Sequence, residues 1–217
     1  MRRRSIFIMA YFFILLPLYG FCAAKAPVGT PTRAIQDLDD RLDDYKTGPN
    51  LTEEDKEYNR KIKEDILKGT FDILELSRLA LDKHWYRLTF KERKDFSSLM
   101  VDLLENKAIL SKEQGQKKAK TENVYMIRYL GDKYLNDEKS RALTRTEVYV
   151  KSEDITVRLD YKLRRADSGW KIYDVIMDGA SLLDNYKYQF DRIITKDGYD
   201  ELVARMRKKL DEIKGEG

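Results

Sequence analysis

The chain has 217 residues, with 42 Lys and Arg, 38 Asp and Glu and a single His, for a formal net charge of +4 at pH 7. This length is enough for one domain with a sizeable core, and the nearly balanced charge gives no electrostatic reason to expect nucleic-acid binding. A single histidine excludes a His-based metal cluster, so we expect neither a metal nor a cofactor.

Residues 1–24 have the pattern of a secretory signal peptide. Arg2–Arg4 form a positive segment, Ile6–Leu18 form an apolar run, and Ala24 and Ala26 offer small-residue cleavage points. A proline and a glycine interrupt the apolar stretch before it reaches the roughly 20 residues that a membrane-spanning helix needs. We therefore expect cleavage after Ala24 or Ala26 and export of the mature protein.

Cleavage would change both the charge and the cysteine content. Without Arg2–Arg4 the net charge falls by three to +1, so most of the excess of basic over acidic residues lies in the signal peptide. Cys22, the only cysteine, would also be lost, which suits an oxidising compartment and leaves no Cys/His pair for catalysis. The alternative is a lipoprotein anchored through Cys22, although Phe21 stands where such a lipidation signal has a small residue.

A stretch with prolines and glycine, residues 25–34, is predicted to be a flexible linker, and residues 35–217 a single domain. Helical periodicity dominates the first half of this domain. Thr52 and Thr89 are predicted helix caps, because a carboxylate follows each of them three positions later. The apolar stripes are Ile35, Leu38, Leu42 and Tyr45; Tyr58, Ile62 and Ile66; Phe71, Leu74 and Leu81; and Phe96, Leu99, Met100, Leu103 and Leu104.

The second half of the domain has the pattern of a sheet. The segment Lys112–Lys120 is predicted to be a loop, and its flanking glutamates favour a solvated segment over a contact with anionic headgroups. Val124–Leu130 and Arg141–Val150 are candidate strands, and in Ile155–Arg164 apolar and polar residues alternate as in a half-buried strand. Ala166–Gly169 is then a predicted hairpin turn into a fourth strand.

The fourth strand leads directly into a helix. Ile172–Met177 is an apolar run, Asp178–Gly179 a turn, and Ser181 a predicted cap with Asp184 three positions later. Asp197 is predicted to cap the last helix. Helices before and after an antiparallel meander predict an α+β fold, in which the helices pack on a mostly antiparallel curved sheet of four strands or slightly more.

Catalytic chemistry has little support in the sequence. His84 stands beside two aromatic residues at a predicted helix end, which favours a packing or capping role, and no Gly-x-Ser-x-Gly elbow is present. Asp174 and Asp178 lie four residues apart on one predicted strand, so both would point to the same face. A buried pair would suit acid/base chemistry, whereas a solvated pair would be surface charges or partners for Arg and Lys on the neighbouring strand. We expect the second, and no enzymatic activity.

Six stretches of the chain, in this order, resemble the MlaC family, also called the toluene-tolerance (Ttg) family, of periplasmic phospholipid carriers. The most informative contains the motif Trp-Lys-Ile-Tyr-Asp-Val-Ile-Met-Asp-Gly, which begins at Trp170. The six stretches are Phe71–Trp85, Leu88–Leu104, Arg141–Thr146, Asp154–Tyr161, Trp170–Phe190 and Asp197–Leu210. Together they cover essentially the whole mature chain.

The resemblance implies a soluble, monomeric periplasmic carrier without catalytic residues, whose sheet and helices enclose an apolar cavity for the acyl chains of phospholipid cargo. It implies that the protein shuttles lipid between two partners and so maintains the lipid asymmetry of the outer membrane. The two partners are an inner-membrane ABC transporter complex, which the protein reaches through the anchored substrate-binding subunit of that complex, and an outer-membrane lipoprotein complex. The stretch Arg33–Asn50 is longer and more acidic than the family pattern, which leaves another lipid, such as a hopanoid, as an alternative cargo.

The predicted lipid-binding residues combine this implied cavity with the periodicity of the strands and helices. Those of the sheet are Val148, Val157, Leu159, Tyr161, Val175 and Met177. Those of the helices are Phe96, Leu99, Met100, Leu103, Leu182, Tyr186, Phe190 and Ile193. A plain hydrophobic core would use the same residues, so periodicity does not distinguish a hollow interior from a filled one.

Two other classes of protein stay open at this stage. One is an exported enzyme that uses Asp174 and Asp178 in an α+β pocket, and the other is a ligand-free periplasmic adaptor. Lipid bound to the purified protein would separate a carrier from an adaptor. Unaltered lipid binding after both aspartates are changed to Asn would count against the enzyme.

Overall fold

The computed structural model describes residues 24–46, 48, 50–118, 125–151 and 153–215. The predicted signal peptide lies outside these ranges except for its last residue, as does the cysteine considered for lipidation. Within the described ranges, no helix combines the length and the apolar character that crossing a bilayer requires.

The first helix begins earlier than the sequence pattern predicts. Helix α1 spans Pro31–Asp43, and the Thr30 side chain caps it by accepting a hydrogen bond from the backbone N–H of Arg33. Residues 31–34, assigned to the linker above, are therefore the first turn of α1. The preceding residues are also attached to the fold, because the Trp170 indole donates a 2.9 Å hydrogen bond to the Gly29 carbonyl.

Two of the next helices begin at the capping boxes that the sequence predicts. Helix α2, Glu53–Thr70, begins after Thr52, whose side chain and backbone exchange hydrogen bonds with the residue three positions on. Helix α3, Ile73–Leu81, is followed by a 3₁₀ helix, Asp82–Arg87. Helix α4, Phe90–Lys118, begins at the second capping box.

The length of α4 corrects one prediction. The segment predicted to be a loop from Lys112 onwards is helical as far as Lys118. Lysine and glutamine have good helix propensity and outweigh the single glycine in this stretch, so its polar composition did not end the helix. The rest of the predicted loop lies outside the described residues.

Five antiparallel strands form one sheet in the order β1-β2-β3-β4-β5. β1 is Tyr125–Tyr134, β2 is Arg141–Val150, β3 is Ile155–Ala166, β4 is Gly169–Met177 and β5 is the two-residue strand Ala180–Ser181. The α+β class is confirmed, and the five strands agree with the predicted sheet of four strands or slightly more.

A left-handed turn joins the sheet to the C-terminal helices. Asp178 and Gly179 both have positive φ angles, 47° and 88°, which glycine adopts freely and aspartate tolerates. Ser181 then caps helix α5, Leu182–Asp197, as predicted. Asp197 is the last residue of α5 and does not cap the final helix α6, Tyr199–Gly215, because Gly198 takes the position between the two helices.

Two apolar clusters lie on different sides of strand β4. The sheet core forms where α1 and α2 cover one face of the sheet, and the helical core lies among α3 to α6 and the 3₁₀ helix. The sheet core contains Ile35, Leu38, Leu42, Ile66, Ala142, Tyr161, Leu163, Trp170, Ile172 and Val175. The helical core includes Leu76, Leu81, Trp85, Phe96, Met100, Leu103, Tyr173, Phe190, Leu202 and Met206.

Candidate functional site

Along β3 the apolar face of the sheet is covered at one end and open at the other, whereas the same face of β2 stays buried as far as Val150, which is 8% exposed. Along β3 the exposed fraction rises from 0% at Leu163 and 4% at Tyr161 to 43% at Ile155. Leu159 and Val157, which lie between them on the same face, are half-buried. Helix α1 therefore covers only part of this face, and its apolar residues continue beyond the cover.

A small group of side chains lies on the same face beside the exposed end of β3, and half of its members are buried and half are half-buried. We call it the sheet-end cluster: Ile127 of β1, Val148 and Val150 of β2, and Leu159 of β3. Ile127 and Val148 are register partners, and Val148 pairs in turn with Val157 of β3. Adjacent side chains on one face of a sheet pack together, so three strands present one continuous apolar surface here.

A cleft of about 800 Å³ lies along β1 beside this surface. Ile127 belongs both to the cleft wall and to the sheet-end cluster, so the cleft adjoins the apolar face at the β1 edge of the sheet. Its β2 and β3 residues, Glu147, Tyr149 and Thr156, alternate with Val148 and Val157 and therefore lie on the opposite face. Its volume falls within the roughly 300–1,000 Å³ of typical small-molecule sites. The described lining residues are Ala24, Ala26, Pro27, Thr30, Thr32, Gln36, Met126, Ile127, Arg128, Tyr129, Gly131, Asp132, Glu147, Tyr149 and Thr156.

Polar groups hold the start of α1 against this part of the sheet. Asp132 accepts hydrogen bonds from the Thr32 hydroxyl at 2.8 Å and from the Thr144 hydroxyl at 2.6 Å. The Gln36 side chain accepts a 2.7 Å hydrogen bond from the backbone N–H of Ala26. Buried polar groups that are paired in this way cost little free energy, so these hydrogen bonds fix the polar side chains of the cleft wall in place.

A second link between α1 and β1 involves a buried carboxyl group. The Tyr129 hydroxyl, in the cleft wall, donates a hydrogen bond to Asp39 of α1, which is 7% exposed. Burial raises the pKa of Asp39 to about 7, against the lowering effect of the Tyr129 hydrogen bond and with a further increase from Asp43 and Asp40. This carboxyl group is therefore poised to titrate near neutral pH.

We expect Asp39 to make the protein more stable in mild acid. The unfolded carboxyl ionises near pH 3.8 and the folded one near pH 7, so its contribution is present at low pH and lost as pH rises to 7. Asp39→Asn should remove about 2 kcal/mol of the change in unfolding free energy between pH 5.5 and pH 8. Urea denaturation at a series of pH values measures this difference. Asp37→Asn is the control and should keep the wild-type slope, because Asp37 lies on the exposed side of α1 and is not among the charges that raise the pKa of Asp39.

The predicted lipid-binding residues are spread over all three apolar clusters, and three of them belong to none. Phe96, Leu99, Met100, Leu103 and Phe190 are buried in the helical core, and Tyr186 and Ile193 pack against it. Tyr161 and Val175 belong to the sheet core, while Val148 and Leu159 belong to the sheet-end cluster. Val157, Met177 and Leu182 are half-buried. The structure therefore does not bring all fourteen residues around one space, and their contact with lipid stays a prediction.

None of these predicted residues lines the cleft along β1. Ile127 and Tyr129 were missed, although apolar residues at every second position of β1 have the period of a half-buried strand. The α1 residues in the wall carry no such signal, because contacts such as Thr32 with Asp132 join positions 100 residues apart. Sequence periodicity identifies a face of an element but does not identify which element covers it.

The structure assigns Asp174 a packing role. Its fully buried carboxylate accepts hydrogen bonds from the Ser181 hydroxyl at 2.8 Å and the Leu183 N–H at 2.9 Å, and pairs with Lys162 at 2.9 Å. Asp178 lies beyond the end of β4, is exposed, and accepts a hydrogen bond from the Arg158 N–H. The prediction that the two carboxylates share one strand is therefore wrong, since the strand ends before the second.

The histidine is also engaged in packing. His84 is 7% exposed, and its Nε2 atom lies 2.8 Å from an Asp191 carboxylate oxygen, which joins the 3₁₀ helix to α5. Among the described residues, no group of three or more His, Cys, Asp or Glu side chains is arranged to hold a metal ion.

Comparison with known proteins places the chain in a family. A search of curated proteins finds no match. Among solved structures, the fold is similar to that of a phospholipid-binding protein from Ralstonia solanacearum in complex with a phospholipid, with 20% identity and a TM-score of 0.63. The similarity covers 83% of this chain and 96% of that one. A family model described as MlaC protein matches residues 36–208. Because this match spans most of the chain, the protein belongs to the MlaC family.

Proposed function

We propose that this protein is a periplasmic phospholipid carrier that holds acyl chains against the open end of its apolar sheet face. The observation that carries the proposal is the gradient along β3, from the fully covered Leu163 to the 43% exposed Ile155. Large apolar residues left partly uncovered beside a cleft are typical of a ligand site. The family and the phospholipid-bound relative of the same fold support phospholipid as the ligand class.

The energetics of lipid transfer favour a carrier of this kind. A phospholipid with two acyl chains has about 30 methylene groups, and at ~0.8 kcal/mol each their exposure to water costs over ~20 kcal/mol. Transfer from a bilayer to an apolar protein surface avoids most of this cost. The carrier needs apolar walls and a few polar groups that orient the headgroup, and the cleft along β1 offers both.

The proposed route connects two membranes. The protein receives or delivers lipid at an inner-membrane ABC transporter complex, through its anchored substrate-binding subunit, and at an outer-membrane lipoprotein complex. Family membership supports this route. Maintenance of outer-membrane lipid asymmetry is the proposed result, with export through the N-terminal signal as the way the protein reaches the periplasm.

Mass spectrometry of the purified protein tests the cargo. Protein purified from bacteria without detergent is extracted with organic solvent, and the extract is compared with that of an unrelated exported protein. Phospholipid in a fixed ratio to the protein is the expected result. A hopanoid in its place would change the cargo class, and an empty protein would contradict the carrier function and favour an adaptor.

Leu159→Glu is expected to abolish the bound phospholipid while the protein stays folded. Leu159 is half-buried in the sheet-end cluster, so a carboxylate there reaches solvent but repels acyl chains from the apolar face. Leu130→Glu is the control, because Leu130 is 39% exposed and lies outside the cleft wall. Circular dichroism checks folding. Equal lipid content in both variants would place the cargo elsewhere.

A further inference from the structure

Two aromatic side chains near the start of α4 are exposed to solvent. Phe90, the first residue of α4, is 83% exposed, and Tyr86 in the preceding 3₁₀ helix is 70% exposed. Four residues of chain separate their Cα atoms by at most about 14 Å. Neither residue lines the cleft or belongs to the sheet-end cluster, so the proposed lipid site does not account for them.

The backbone that presents these rings is firmly held. Trp85, which is 7% exposed, accepts hydrogen bonds at its carbonyl from the Leu88 N–H and the Arg93 guanidinium. The same guanidinium lies 5.4 Å from the centre of the Trp85 ring. Because Trp85 anchors the 3₁₀ helix from the inside, its neighbour Tyr86 faces outward as part of a fixed surface.

Basic residues are frequent in the segment that carries the two rings. From Asp82 to Asp95 the chain has five basic and three acidic residues, and two of the basic ones, Lys83 and Lys91, form ion pairs with Asp191 and Asp95. Arg87 and Lys94 are exposed, and within the described part of the chain neither has a hydrogen-bond or ion-pair partner. Lys94 lies one turn after Phe90 on the same side of α4. We call Tyr86, Arg87, Phe90 and Lys94 the aromatic-basic patch.

We propose that the aromatic-basic patch docks the protein on the surface of an anionic membrane. Aromatic rings partition to the headgroup region of a bilayer, and unpaired arginine and lysine side chains are attracted by anionic lipids. These long side chains adapt to a fluid layer of headgroups, and the charge of the patch is complementary to it. Docking of this kind holds the protein beside a lipid surface, in addition to any contact with its transport partners.

Vesicle co-sedimentation tests the proposal with the full mature protein. The probes are vesicles of phosphatidylcholine alone and vesicles in which phosphatidylglycerol replaces part of it. We expect binding to the anionic vesicles only, and weaker binding at high salt. Reversing both charges, Arg87→Glu with Lys94→Glu, should weaken binding by tenfold or more, since each charge contributes about fivefold. Phe90→Ser should weaken it by roughly tenfold through the lost apolar insertion.

Matched controls separate the patch from general surface properties. Val28→Ser removes an apolar side chain from a residue as exposed as Phe90, and Lys196→Glu reverses a charge whose side chain is 82% exposed. Both controls should bind like the wild type, and all variants should keep their bound phospholipid. Absence of wild-type binding, or equal binding by the patch variants, overturns the proposal. Wild-type self-association that the patch variants lose would do so as well, because it identifies a second copy as the occupant.

Discussion

Replacement of Phe96 by Ala is expected to lower the free energy of unfolding by about 3–5 kcal/mol. Phe96 is 1% exposed in the centre of the helical core. Its ring meets Phe190 of α5 edge to face at 5.6 Å and lies 6.2 Å from the ring of Tyr199 in α6. The substitution leaves a cavity where three helices meet, and close-packed neighbours relax only partly into such a cavity.

Phe90→Ala is the matched control, since it makes the same change on the same helix at an 83% exposed position. Its effect should stay within about 0.5 kcal/mol. Urea denaturation followed by circular dichroism gives both values. Phe96 was also predicted to contact lipid, so the measurement has a second use. A small effect at Phe96 would indicate that the helical core is hollow enough to relax, as a lipid-filled cavity would be.

Asp174→Ala is also expected to lower the free energy of unfolding, by about 3–5 kcal/mol. The substitution removes the acceptor for Ser181 and for the Leu183 N–H at the start of α5, and leaves Lys162 without its partner. The first turn of α5 then loses its attachment to β4, so the melting temperature should fall as well.

The same substitution at Asp178 provides the comparison. Asp178 is exposed and accepts one backbone hydrogen bond, and its φ angle of 47° adds some strain for alanine, so a cost of about 1 kcal/mol is expected. Thermal and urea denaturation measure both variants. Equal costs at the two positions would contradict the packing role of Asp174, and loss of an enzymatic activity without loss of stability would restore the acid/base hypothesis.

Local signals in the sequence predicted much of the fold. The caps at Thr52, Thr89 and Ser181 form as predicted, because a hydroxyl oxygen and the backbone N–H three residues on are neighbours in any helix start. The alternation in Ile155–Arg164 placed the apolar face of β3 correctly, because successive side chains of a strand always point to opposite faces.

Predictions that depended on composition alone were less accurate. The polar segment after Lys112 continues as α4, and residues 31–34 are part of α1. In both places the composition suggested a loop or linker, while helix propensity or the Thr30 cap favours a helix. Asp197 failed as a cap because Gly198 takes the turn between α5 and α6.

The sequence by itself determined the α+β class, the helix starts and the apolar face of the sheet, because these depend on residues within a few positions of each other. The tertiary structure decided where α1 lies on that face, which part of it stays open, and that Asp39 is buried against Tyr129. These features depend on contacts between residues about 90 to 100 positions apart, which no local spacing encodes. The candidate lipid site is the part of the apolar sheet face that α1 leaves uncovered.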